Sequence, residues 1–415
     1  MGSAYKVLLN GSPRLTLVAW VRVLSDSHRP SERRARIELG VVPGNPFGGV
    51  RSVLNYNLYD ELMTFASNSM LAVVKIHYFD DSQYVNPSFA GESGMLADEC
   101  LYSCAGTPFS IKKRLDMSLR TVHQGIETDF RGTHVNQIMK QSVPQERRLS
   151  VAADIETILR SGCLPSGKAS SIRGRAKFAV SPLFGRVGRA AMQPLVQRQY
   201  YDLESTITPE LKSSLEFLAL LALEVPAAKL RVFPVAEPPL LVFTDAMEQG
   251  SLACLGFVVW DPAASRLYVS RRVAPSWMRA SFARIARACG YDKKRYIAQF
   301  ELLVAPAVGL SLPHVLRGRP VLHYIDNTSA LASLIHGYSG KPDSARLVNL
   351  YHLVQMRLSS LPWLRYVPSE LNIADWPSRL DISLDRLRQL GSIEVPMVLP
   401  TLTQLTGPWK DACAL

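Results

Sequence analysis

Two hydrophobic periods alternate along this chain, one of strands and one of helices. Up to about residue 90, the apolar runs LTLVAWVRVL and VVPGNPFGGV flank a polar SDSHRPSERR loop. They lead into a helical pattern, VLNYNLYDELMTFA, and then a strand, LAVVKIHYF. Residues 91–140 carry no clear period. From 144 the spacing turns helical: VPQERRLSVAADIETILRSG places Leu149, Ala152, Ile155 and Leu159 on one face and offers Gly162 as a stop. A further helix is expected at about 208–224. After it, Pro226, Pro234, Pro238 and Pro239 remove ladder donors and stiffen the backbone, which predicts a linker and a domain boundary.

Beyond the prolines, LLVFTDA, LACLGFVVWD and RLYVSRRV are joined by the turn stretches EQGS and PAAS, the pattern of an antiparallel meander. Helix YIAQFELLVAPAVGLSL, strand RPVLHYIDN, helices TSALASLIHG and ARLVNLYHLVQMRLSSL, strand WLRYVPSE and a closing LNIADWPSRL follow. A meander followed by alternating helices and strands describes a mixed sheet with helices on its faces, so the fold class expected is α/β.

Charge narrows the partners. Lys and Arg outnumber Asp and Glu 47 to 35, a net +12 that favours a polyanion such as nucleic acid. Lys168, Arg173, Arg175, Lys177, Arg186, Arg189 and Arg198 recur between small and apolar residues, with Gly174, Gly185 and Gly188 allowing close approach of a backbone. The stretch reads either as a nucleic-acid surface or as a solvated helical face. The six cysteines form no CxxC pair, which argues against zinc and a disulfide framework and for a reducing compartment. No signal peptide is recognisable, and the longest apolar stretch, LEFLALLALEV, is short for a bilayer and carries two glutamates. A soluble cytoplasmic or nuclear protein is expected, with no membrane partner.

Four acids occupy marked places in the second half: Asp245 in the first strand of the meander, Glu301 on the helix after it, Asp326 at the end of the fourth strand and Asp375 just after the fifth. Carboxylates converging from several elements raise one another's pKa unless divalent cations neutralise them. Hard oxygen ligands suit Mg2+ or Mn2+, and two such ions about 4 Å apart promote phosphodiester cleavage.

TDA, FELL, YIDNTSA and NIADWPSRL, in this order, resemble the ribonuclease H domain of retrotransposon polyproteins. The resemblance implies that Asp245, Glu301, Asp326 and Asp375 hold two Mg2+ or Mn2+ ions. It further implies that Asp245 and Asp326 share the metals and that an activated water attacks the RNA strand of an RNA–DNA hybrid, which is read by shape and 2′-hydroxyls. Many cellular members carry a loop histidine before the last aspartate. The nearest candidate here, His352, falls within a predicted helix.

Such domains follow a reverse transcriptase, and the first half resembles the end of one. PFGGVRSVLNYN resembles the glycine motif before a palm helix, with Gly48 and Gly49 near template and nucleotide. HYFDD resembles the metal-binding hairpin, with Asp80 as ligand and Asp81 beside it, and Lys112 and Lys113 fall where a basic residue lies near the triphosphate. The opening MGSAYK matches the tail of a motif whose aspartate would precede Met1, with Tyr5 in the place that excludes a ribose 2′-hydroxyl. Without that aspartate and the fingers, loss of polymerase activity is expected.

The domains expected are a truncated palm at 1–140, a helical thumb and connection at 141–225, a linker at 226–239, a ribonuclease H-like domain at 240–385 and a tail at 386–415. The expected function is metal-dependent cleavage of the RNA strand of hybrids, with template–primer duplex as a further partner. The rival reading is a non-catalytic nucleic-acid-binding relic, for which Met247 and Glu248 beside Asp245 leave room. An integrase or resolvase of the same fold suits the acidic spacing less well. The oligomeric state stays open.

Overall fold

The computed structural model describes residues 17–25, 33–41, 50–78, 81–182, 186–232, 237–288, 290, 295–407 and 409. The chain forms two compact units, 1–119 and 120–415.

In the first unit, strands β1 (Leu17–Ser25) and β2 (Arg33–Val41) form an antiparallel hairpin. Helix α1 (Val50–Met70) is followed by the short antiparallel pair β3 (Lys75–Tyr78) and β4 (Asp81–Tyr84), then by helix α2 (Gly91–Cys104). The pair is fastened from beneath by a buried polar network. Lys75 Nζ donates to Tyr102 Oη at 2.6 Å and pairs with Asp98 at 3.2 Å, while Tyr84 Oη donates to the same carboxylate at 2.6 Å. Burial lowers the Lys75 pKa, and the charges of Asp98 and Asp60 oppose that shift.

The second unit opens with strands β5 (Arg120–His123), β6 (Ile126–Asp129) and, after a helical turn α3 (Thr133–Asn136), β7 (Ile138–Ser142). Their sheet is completed by β8 (Ala228–Arg231), antiparallel to β7. The proline-bearing stretch therefore includes a paired strand, because the residues between Pro226 and Pro234 keep their ladder donors.

Between β7 and β8 lie helices α4 (Gln145–Ser161), α5 (Ser166–Ala179), α6 (Arg189–Tyr200) and α7 (Pro209–Glu224). Gly162 ends α4 in the left-handed region, at φ 65°, as expected. The buried face of α4 is Val151, Ala152, Ile155 and Ile158, whereas Leu149 is 46% exposed. The stripe is rotated from the expected one because α4 packs against both α5 and α7, which draws Val151 and Ile158 inward.

The expected meander forms: β9 (Leu240–Gln249), β10 (Leu252–Asp261) and β11 (Arg266–Val273) pair antiparallel. Helices α8 (Ser276–Ala288), α9 (Ile297–Ser311) and α10 (Pro313–Leu316) lead to β12 (Pro320–Ile325), parallel to β9. Helices α11 (Thr328–His336) and α12 (Pro342–Leu358) lead to β13 (Leu361–Tyr366), parallel to β12. Short turns α13 (Asp375–Ser378) and α14 (Asp385–Gln389), strand β14 (Ile393–Glu394) and α15 (Leu402–Thr406) close the unit. The six-stranded sheet has the order β13-β12-β9-β10-β11-β14, so the fold is mixed α/β.

Helix α9 is continuously buried over 299–309, Gln299 and Glu301 included, because it lies between the sheet and α12. The helical bundle is joined to this layer. Leu353 of α12 lies in the bundle's core, and Trp409 packs on Phe217, with ring centroids 4.3 Å apart, beneath the Arg346 guanidinium. No helix among the described residues is long and apolar enough to cross a membrane.

Candidate metal centre

The alternation of β9 sends Leu240, Val242, Thr244 and Ala246 toward one face of the sheet and Asp245 toward the other. Parallel pairing of Thr244 with Ile325 brings Asp326, the next residue after β12, beside Asp245 in the middle of the neighbouring β9. Asn327 then caps α11, its Oδ1 accepting from Ser329 N at 3.1 Å and Ala330 N at 3.0 Å, which fixes the backbone on the far side of Asp326. Glu301, in the second turn of α9, reaches the same place and accepts from the Ala246 amide.

One carboxylate oxygen each from Asp245, Glu301 and Asp326 lies within 4.8 Å of the others. Among the described residues this is the one group of three side chains placed to hold a metal ion, and none of the three has an ion-pair partner. Glu301 Oε2 and Asp326 Oδ1 are buried without a hydrogen-bond donor. Burying such oxygens unpaired is costly, and a divalent cation satisfies both at once. Burial, followed by the charges of Asp326 and Asp375, pushes Asp245 up to about 6 against a Ser378 hydrogen bond that lowers it. Glu301 is raised by burial and then by Asp245 and Asp326. The residues therefore fit a hard divalent ion.

Asp375, the fourth expected acid, stands next to this group and outside it. Its Oδ1 accepts from Arg379 Nε at 2.7 Å. The backbone that carries it is held tightly. Asn372 Nδ2 donates to Thr244 O at 3.1 Å, tying the loop to the residue before Asp245. Across the sheet, Asp245 pairs with Gly256 and Gly256 with Arg271, so the three form one row on one face. Gly256 leaves room for the α13 turn: a Cβ there would overlap Ser378 N and stand 2.7 Å from the Pro377 carbonyl carbon. Arg271 then donates to Pro377 O at 2.9 Å, Trp376 O at 2.8 Å and Ile382 O at 2.6 Å. Gly256→Val is accordingly expected to destabilise the unit by about 1–3 kcal/mol and to displace Asp375. Urea denaturation and the Asp375-dependent share of metal binding check this.

His352 is buried on α12, its Nε2 3.1 Å from Leu334 O, and burial pushes it down to about 4. It is a neutral packing residue. His323, missed in the sequence, is pushed by burial down to about 3; it bonds Thr244 Oγ1 at 3.0 Å and Tyr351 Oη at 3.3 Å beneath the centre. Glu248 accepts from Arg279 at 2.6 Å and from the Tyr296 amide, a structural role away from the three acids.

The basic stretch divides. Lys177 is exposed, Arg173 lies over the Tyr200 ring and Arg175 is bonded to Asp154 and Ser150. Arg189 donates to His336 O at 3.4 Å, and Arg186 packs against Gly337, joining the bundle to α11. Arg198 is buried, bonded to Asp202, Leu164 O and Thr206 O, and is unavailable to a ligand. Asp81 is exposed at the start of β4, and Lys112 and Lys113 are exposed in a 3-10 turn. Tyr5, Gly48, Gly49, Asp80 and Gly185 lie outside the described residues.

No family model and no curated protein matches the chain. Among solved structures it is similar to a foamy viral protease-reverse transcriptase in complex with RNA/DNA hybrid. The TM-score is 0.37 and the identity 12%, over 80% of this chain and 40% of that one. The chain thus spans less than half the length of that protein.

Proposed function

We propose that the second unit is a divalent-metal-dependent nuclease of the ribonuclease H kind, acting on the RNA strand of RNA–DNA hybrids, in a chain of retroelement reverse transcriptase descent. The observation that carries this is the convergence of Asp245, Glu301 and Asp326, with two buried oxygens lacking donors, where the carboxyl end of β12 meets the middle of β9. The order of the resembling motifs along the chain supports it. So does the sheet, a three-stranded meander extended by two parallel strands on the side of its first strand.

Asp245, Glu301 and Asp326 would hold Mg2+ or Mn2+, with Asp375 beside them for a second ion. When bound, such ions supply the charge that activates a water and stabilises the leaving oxygen. The chain's own groups prepare that chemistry. The Ser378 hydrogen bond and the Ala246 amide orient Asp245 and Glu301. The Asn372 and Arg271 contacts fix the turn that carries Asp375. The exposed Lys168 and Lys177 of the bundle, with the half-buried Arg173, contribute to a surface suited to phosphates, in keeping with the chain's net +12.

A hybrid labelled separately on each strand tests the substrate. In Mg2+ the full chain is expected to cut the RNA strand and leave the DNA strand and single-stranded RNA intact. Binding of the hybrid with neither strand cut would favour the non-catalytic relic.

A further inference from the structure

The Asp375–Arg379 pair sits at the rim of the acidic centre, and the metal reading leaves Arg379 without a task. Three features bear on it. The turn that carries Asp375 is held by the Asn372 bond and the three carbonyl contacts of Arg271 and packs closely over Gly256. Its carboxylate points to Arg379 Nε at 2.7 Å, four residues on, and stays out of the cluster that the other three acids form. The pair is open to water, with Arg379 51% and Asp375 31% exposed. An exposed i,i+4 pair is weak, so a competing ligand for the carboxylate displaces it at little cost. The triad it adjoins is a built site in its own right, since Glu301 is 4% exposed and its Oε2 has no donor.

We propose that Arg379 competes with a divalent cation for Asp375. In the ion-free protein it holds the fourth carboxylate off the triad. Cation binding then falls into two classes, a tight one at Asp245, Glu301 and Asp326 and a weaker one that needs Asp375 and must displace Arg379. Once displaced, the guanidinium stands at the edge of the centre as a fork-shaped donor suited to a phosphate. Arg379 is thus a positioning residue that sets how much metal completes the site. This inference rests on the metal reading of the triad.

Mn2+ titration of the full chain without nucleic acid, followed by electron paramagnetic resonance, tests it. The wild type is expected to show two classes. Arg379→Gln is expected to tighten the weaker class roughly two- to fivefold by removing the competitor and leave the tight class unchanged. Asp375→Asn should abolish the weaker class alone, and Arg379→Lys should restore wild-type behaviour in part. An unshifted or loosened weaker class in Arg379→Gln, with the tight class intact, overturns the role of Arg379 only. A wild type with no tight class overturns the metal reading and this proposal together.

Discussion

Asp245→Asn is expected to lower Mg2+-dependent hybrid cleavage by at least about a thousandfold, equivalent to about 4 kcal/mol of activation free energy. The loss should come without unfolding. Asp245 faces Asp326 and Glu301 with no cation among the described residues bonded to any of them, so the amide removes a repelling charge as well as a ligand. The ion-free variant is therefore expected to be more stable than the ion-free wild type at neutral pH, while binding metal far less. Loss of both activity and stability would mean that Asp245 serves packing.

The second large effect is a dependence of stability on pH that metal cancels. Asp245 is raised to about 6 in the folded chain, above an ordinary carboxyl in the unfolded one. The native state thus favours the protonated acid. The associated stability is fully present below about pH 4 and is lost as pH rises through 6, amounting to about 3 kcal/mol for two pK units. Glu301 is shifted in the same direction and adds to it. Urea denaturation in EDTA, taken as the difference between wild type and Asp245→Asn, should show the wild type losing relative stability between pH 4 and 7. Saturating Mg2+ should restore it at pH 7.5 and have little effect at pH 4.5, where protons occupy the ligands. A difference curve that rises with pH would contradict the burial of an unpaired carboxylate.

Much of this centre was legible from local pattern. The meander, the strand ending at Asp326 and the helix bearing Glu301 follow from strong periods of apolar residues, and these elements place three of the four acids. What stayed hidden depends on register and on partners distant in sequence. Nothing in LACLGFVVWD or RLYVSRRV shows that Gly256 and Arg271 share a row with Asp245, because strand pairing is not written in either strand alone. The glycine inside an otherwise apolar strand was the available sign of a close backbone approach. The Arg379 contact is legible as an i,i+4 spacing only where the stretch after Asp375 is helical, which NIADWPSRL does not show by its period. The sheet of β5 to β8 is not legible in the sequence because three of its strands have four residues, too few to establish a period of two. The rotation of α4 illustrates the same limit: its sequence supports two overlapping faces, and its neighbours choose between them.

Whether Asp245, Glu301 and Asp326 form a metal-dependent nuclease centre is decided by assaying hybrid cleavage by the wild type and Asp326→Asn across an Mg2+ titration. RNA-strand cleavage is expected to rise with Mg2+ in the wild type, to vanish in EDTA and to be absent from Asp326→Asn, which still binds the hybrid. Cleavage that persists in EDTA, or that Asp326→Asn retains in full, would contradict such a centre.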